Sequence, residues 1–298
     1  MLDFCDNCLP PSLHRLDITI GWNASGSDRL IPLLASAAAA VTVLGSLNVS
    51  VAKPQQWEGL HVDLSSLRDP WAAQLTQLCL SLPAKNVDIA PLAVLTNLHV
   101  LGLLLDKEVT VGQAAGSSWQ HPMDGLTQLR ELQLGAFGFV LRLGCLDPLP
   151  LARFPRLEVL NLAGAYFPQK ALNWLEECSA YHLTLSLDST AGLVHDVQLP
   201  TVTLFTVDAT DVMSIAVRTD VALETLEALP LMLPNLQKVE WVLPSKVPIA
   251  AVKHHRHMRR LLMDRKLPQS ELVVLVEPDT SIQLPDEGNF LAPAFVEV

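Results

Sequence analysis

A chain of 298 residues, half of them apolar, 17% charged and with a formal net charge of −11, is long enough for two ordinary domains or one elongated repeat array. The acidic balance argues against nucleic acid as a partner, because phosphate binding rests on clustered Lys and Arg. Aromatic residues make up only 5%, so aliphatic Leu, Val and Ala have to fill the interior.

The first dozen residues carry two acids, no basic region and no apolar run. They are expected to be an N-terminal cap (about 1–12), not a secretory signal. Cys5 and Cys8 form a CxxC pair, the one hint of a metal or redox function. A zinc site needs four ligands close together, and Cys79, Cys145 and Cys178 are far away in sequence. Five scattered cysteines do not make a disulfide framework. They fit a reducing compartment, the cytoplasm, with the nucleus left open. From Leu30 to Ala52 no residue is charged, a length that would span a bilayer. Pro32, Ser36, Gly45, Asn48 and Ser50 interrupt it, and its end alternates as a strand. The expectation is a buried helix followed by a strand, with no membrane contact.

Further along, three stretches share one spacing without gaps. They are Leu92, Leu95, Leu98, Leu101, Leu103; Met123, Leu126, Leu129, Leu132, Leu134; and Leu151, Phe154, Leu157, Leu160, Leu162. Steps of three suit a turning approach, whereas a final step of two places side chains on one face of a strand. Weaker copies occur on both sides. The residues that open each strand are 16, 47, 78, 101, 132, 160, 183, 202, 239 and 272, of which three of the first five intervals are 31 residues. Such units cannot bury their leucines alone and must stack. Returns are expected to be helical at Leu30–Ala40 and Gln169–Cys178, and irregular around Pro148–Pro155.

The segments LTNLHVLGL (95–103), LTQLRELQL (126–134) and FPRLEVLNL (154–162) resemble the LxxLxxLxL core of the leucine-rich-repeat superfamily. The likeness is strongest over 75–165 and extends to LPPSLHRLDI (9–18). It departs from the family where an Asn is expected after the strand: Asp106, Phe137, Ala165, Asp188 and Val207 stand there instead. This is similar to the irregular intracellular, F-box-associated or plant- and alga-like variety. The resemblance implies an α/β solenoid, a curved parallel β-sheet on the concave side and short helices and loops on the convex side. About ten irregular repeats would form a single domain over 1–298, less regular over 245–298. It also implies a non-enzymatic scaffold for a protein partner, including substrate recognition in a ubiquitin-ligase-like setting. The repeat begins by residue 13, so another chain is expected to supply any F-box.

Between Lys253 and Lys266 six basic residues face one acid, Asp264. Lys253, Arg256, Arg259 and Arg260 are a candidate docking helix on that ground. His254, His255 and His257 share the segment, but its positive charge opposes a metal cation, and no metal or cofactor is expected. No phosphate-binding, nucleophile-elbow or metalloprotease motif is present in the sequence, so no catalytic residue is assigned.

In an alternating strand, residues between the buried leucines point the other way. The middle solvent-facing row is therefore expected to hold Asp17, Asn48, Cys79, Gly102, Gln133, Asn161, Thr184, Thr203, Glu240 and Val273. Asp17, Asn48, Cys79, Gln133, Asn161, Thr184, Thr203 and Glu240 are the candidate partner-binding residues. Flanking rows take Arg15, Gln77, Glu131, His182, Thr201, Phe205 and Lys238.

Overall fold

A computed structural model describes residues 12–20, 43–51, 60–62, 64–68, 71–82, 84–105, 108–110, 123–136, 141–142, 151–163, 165–166, 172–186, 197–208, 231–243, 271–276 and 295–297. The chain divides into two compact units, Met1–Tyr166 and Phe167–Val298.

In the first unit the strands Val100–Leu105, Glu131–Ala136 and Val159–Leu162 are each entered through a run of hydrogen bonds that explains the step of three. Leu95 N–H donates to the Leu92 carbonyl, and Leu98 N–H to the Leu95 carbonyl, both at 3.0 Å. The same pair of bonds joins Met123, Leu126 and Leu129 at 3.0 and 3.1 Å, and Leu151, Phe154 and Leu157 at 2.9 and 3.0 Å. Closure from residue i+3 to i is the 3₁₀ geometry, in which side chains three apart eclipse one another. Three successive apolar residues thus fall on one side before the chain straightens into a strand of period two. All fifteen residues of the three gapless stretches are buried, at 0–2% exposure.

The strands of this unit are β1 (Arg15–Ile20), β2 (Ser46–Val51), β3 (Leu60–Val62), β4 (Gln77–Leu82), β5 (Ala84–Asp88), β6 (Val100–Leu105), β7 (Glu108–Thr110), β8 (Glu131–Ala136), β9 (Leu141–Arg142), β10 (Val159–Leu162) and β11 (Ala165–Tyr166). One open sheet runs β1-β2-β4-β6-β8-β10, every pair parallel, with Leu16, Leu47, Leu78, Leu101, Leu132 and Leu160 in register. A second parallel sheet runs β3-β5-β7-β9-β11. The leucine spacing does not announce this second sheet. Its strands follow β2, β4, β6, β8 and β10 in the chain, and Val87 and Ile89 are fully buried at the end of β5.

Successive rungs are bonded at their entries as well as along the strands. The Gly45 carbonyl accepts from Thr76 and Gln77 N–H at 2.8 and 3.0 Å, and the Thr76 carbonyl accepts from His99 and Val100 at 2.7 and 3.1 Å. The His99 carbonyl does the same for Arg130 and Glu131, at 2.8 and 3.0 Å. Packing between returns is close enough that a Cβ on Gly125 would lie 2.8 Å from the Ala93 carbonyl oxygen, so this turn requires glycine. At the β1 edge Leu16 and Ile18 are only half-buried, whereas Leu47 and Val49 on the next rung are 2% and 0% exposed.

The second unit has β12 (His182–Ser186), β13 (Leu204–Asp208), β14 (Lys238–Leu243), β15 (Glu271–Val276) and β16 (Phe295–Glu297), all parallel in that order. Leu183, Phe205, Val239 and Leu272 align. The expected alignment through Val202 is therefore one step early. Val202 N–H closes a turn onto Leu199 at 3.2 Å, and the strand starts only at Leu204.

The returns that the structure describes at Ser65–Arg68, Ala72–Gln74, Ala90–Val94, Leu151–Arg153 and Leu172–Glu177 are 3₁₀ turns. Of the expected helix at Gln169–Cys178, Leu172–Glu177 is helical, of the tighter kind, and 169–171 lie outside the described residues. Within the span Pro148–Pro155, Leu151–Arg153 is ordered by the same bond instead of being irregular, and 148–150 lie outside the described residues. Leu30–Ala40 lies outside the described residues. Among the described residues no helix is long and apolar enough to cross a membrane, and the far end of the uncharged segment is strand β2.

Candidate interaction surface

The main sheet of the first unit buries its leucines on one side, so the alternate residues form rows on the other. Asp17, Asn48, Cys79, Gly102, Gln133 and Asn161 stand directly in line. Five candidate residues are thereby brought into one row across neighbouring strands. The row before it holds Arg15, Ser46, Gln77, Val100, Glu131 and Val159 in register.

Over β1, β2 and β4 this surface is polar and internally satisfied. Arg15 Nε donates to Asp17 Oδ2 at 2.7 Å. That hydrogen bond is the main reason the Asp17 carboxyl is held below its ordinary range, aided by the positive charge of Arg15 and by Asn48. Ser46 Oγ donates to Gln77 Oε1 at 3.3 Å, and Thr19 and Ser50 hydroxyls meet at 3.2 Å. Gln77 Nε2 donates to Cys79 Sγ at 3.9 Å. Burial pushes the Cys79 thiol up, with the Glu131 charge adding to it and Gln77 opposing. A Cβ on Gly102 would meet that sulfur at 3.2 Å, so Cys79 leans over the next strand.

From β6 onward the surface changes character. Val100, Leu104 and Val159 are half-buried and face outward, with Gln133 and Asn161 among them. Asn161 Oδ1 accepts from Ala163 N–H at 3.0 Å, which occupies one of its two polar ends.

In the second unit the middle row is Thr184, Thr206, Glu240 and Val273. Thr203 does not belong to it. Thr203 sits at the strand entry, where its N–H donates to the Tyr181 carbonyl at 2.9 Å and its own carbonyl accepts from Gln237 and Lys238. Thr206 takes its place. Thr201 likewise precedes the strand, its hydroxyl donating to the Cys178 carbonyl at 2.9 Å. Phe205, expected in a flanking row, is fully buried. The available signal was the spacing of Leu199, Val202, Phe205 and Val207, which repeats the steps of Leu95, Leu98, Leu101 and Leu103 once phenylalanine is admitted at a leucine position.

This row forms a connected network across three strands. Thr206 Oγ1 donates to Glu240 Oε2 at 3.2 Å, and Glu240 Oε1 pairs with Lys238 Nζ at 2.8 Å. A hydroxyl has one proton, so Thr206 accepts from His182 Nε2, which lies 2.9 Å away. Thr184 Oγ1 lies 3.3 Å from the same nitrogen. The proton of Thr206 is directed toward Glu240 and away from His182, the opposite sense from nucleophile activation by a histidine base. Thr184 and Thr206 are only 5% and 6% exposed. Thr184 is therefore a packed part of the network, not the open surface position expected of it.

Cys178 is buried in its turn, and burial pushes its thiol up to about 11. Among the described residues no three His, Cys, Asp or Glu side chains gather as a metal site would require. Cys5, Cys8 and the segment Lys253–Lys266, with Arg256, Arg259, Arg260 and its histidines, lie outside the described residues. No family model matches the chain, and no curated protein matches it.

Proposed function

We propose that this protein is a non-catalytic, leucine-rich-repeat-type scaffold that binds a protein partner in the cytoplasm or nucleus on the outward face of its parallel sheet. One observation carries the reading: Asp17, Asn48, Cys79, Gln133 and Asn161 stand in one register row with Gly102 between Cys79 and Gln133, beside leucines that are buried from β2 onward. A ladder of this kind holds small polar groups at a fixed spacing of about 4.8 Å, which suits recognition of an extended surface more than chemistry at one point. The leucine spacing and the 3₁₀ entry bonds support the repeat assignment, since each unit repeats the same short device.

The test replaces Gln133 and Asn161 together by Arg and uses the full chain as bait in native extract, with partners identified by mass spectrometry. The expected result is loss of the partners that the unaltered chain captures, with the chain still folded and a stability loss of no more than about 1 kcal/mol, the value of the Asn161–Ala163 bond given up. The control is Arg259→Glu with Arg260→Glu in the basic segment. If the control abolishes capture and the double arginine variant does not, the sheet face is the wrong surface.

A further inference from the structure

On two of the described strands, charged residues that face outward form an ion pair within the strand. On β1, Arg15 pairs with Asp17 at 2.7 Å, and on β14, Lys238 pairs with Glu240 at 2.8 Å. In both strands the partners are two residues apart, one in the middle row and one in the row before it. On β8 the same two positions hold Glu131 and Gln133. Here the acid has an amide for its neighbour, and among the described residues its carboxylate has neither an ion pair nor a hydrogen bond. Its register neighbours are Val100 on β6 and Val159 on β10, neither of which can answer the charge. Leu104 and Gly135 stand two rows further along the same face, beyond Gly102 and Gln133.

A half-buried carboxylate between two valines is an expensive arrangement when nothing compensates it. We infer that the partner compensates it: the face formed by β6, β8 and β10 is docked by a peptide segment that sets an arginine on Glu131 between apolar side chains resting on Val100, Leu104 and Val159. This inference rests on the scaffold reading and adds the chemistry of what is bound. Arginine fits better than lysine for two reasons. Its planar fork can reach the Glu131 carboxylate and the Gln133 amide oxygen together, and its weakly hydrated guanidinium and aliphatic stem tolerate valine walls. The net charge of −11 favours approach of a cationic segment in the same sense.

The experiment measures binding of the full chain to synthetic extended peptides of alternating apolar residues that carry Arg, Lys, Gln or Glu at one central position. The Arg peptide is expected to bind about tenfold more tightly than the Gln peptide, the size of one charge-assisted bidentate contact, with the preference shrinking as salt rises. Glu131→Gln should erase that preference and leave the unfolding midpoint unchanged or slightly higher, since it removes an uncompensated charge and breaks no bond. Glu131→Lys should invert it in favour of the Glu peptide. Equal binding of all four peptides, no binding of any, or an Arg preference that survives Glu131→Gln overturns the inference. The scaffold reading fails separately, on the Gln133 and Asn161 double variant retaining its partners.

Discussion

Asn97 Nδ2 donates to the Ala73 carbonyl at 2.9 Å, tying the turn before β6 to the return before β4. Asn235 Nδ2 does the same to the Pro200 carbonyl at 2.8 Å, and Thr201 Oγ1 to the Cys178 carbonyl at 2.9 Å. Each donor lies four residues before its strand's first core residue. Arg156 reaches the Gln128 side chain from the equivalent place. These three carbonyls, each ahead of one strand, are thus answered by side chains ahead of the next strand.

Asn97→Ala and Asn235→Ala should therefore each destabilise the unit that contains them by about 1 kcal/mol, the net value of one such bond. Denaturant unfolding monitored by circular dichroism checks this. No change at either position would mean that water replaces the side chain without loss.

Leu101→Ala and Leu132→Ala remove side chains with no exposure from the centre of the first sheet. The loss should be roughly 2–5 kcal/mol, set by the cavity left behind. Leu16→Ala, at the half-buried edge rung, should lose clearly less than Leu47→Ala one rung inward, where exposure is 2%. Equal losses at Leu16 and Leu47 would contradict the burial gradient at the β1 edge.

These same leucines show what was legible in the sequence. Steps of three followed by a step of two locate both the 3₁₀ entry and the strand, because each geometry has its own side-chain period. The middle row over β1 to β10 follows directly. The second sheet was not legible, since strands as short as Leu141–Arg142 and Ala165–Tyr166 have no period to detect. Thr203 was misplaced because Val202 and Leu204 imitate the final step of two, while the true pair is Phe205 and Val207. Glu131 was visible as a flanking residue, but its lack of a partner depends on which side chains stand beside it on neighbouring strands.

Cys178 and Cys79 should respond differently to a thiol reagent in the native protein. Cys178 is 6% exposed and its thiol is pushed up to about 11, so it should stay unmodified until unfolding. Cys79 faces outward and should react, more slowly than a free thiol because burial raises it too. The folded thiol of Cys178 titrates above its unfolded value of 9.0. Its contribution to stability is therefore complete below pH 9 and fades as the pH rises toward 11. Against Cys178→Ala, the native chain should lose roughly 2 kcal/mol more over that window. Parallel stability curves for the two proteins would show that Cys178 does not remain protonated in the fold.

The last prediction separates Thr206 from Thr203. Thr206 is 6% exposed and joins two partners, accepting from His182 Nε2 at 2.9 Å and donating to Glu240 Oε2 at 3.2 Å. Thr206→Val keeps the shape but removes both bonds, leaving the His182 N–H and one oxygen of Glu240 without that hydroxyl between them. Removing one member of a part-buried polar set takes a partner from each of the others, at a loss of about 1–3 kcal/mol. Thr203 joins its neighbours through the backbone, and its hydroxyl reaches the Tyr181 carbonyl only at 3.5 Å. Thr203→Val preserves the backbone bonds and should change stability by less than about 0.5 kcal/mol. The double variant Thr206→Val with Glu240→Gln should lose less than the two single losses added together, because both act on the same hydrogen bond. Urea unfolding of the native chain, the three single variants (Thr206→Val, Thr203→Val and Glu240→Gln) and the double variant gives the comparison directly. A larger loss at Thr203 than at Thr206 would mean that β13 begins three residues earlier and that Thr203 holds the middle row after all.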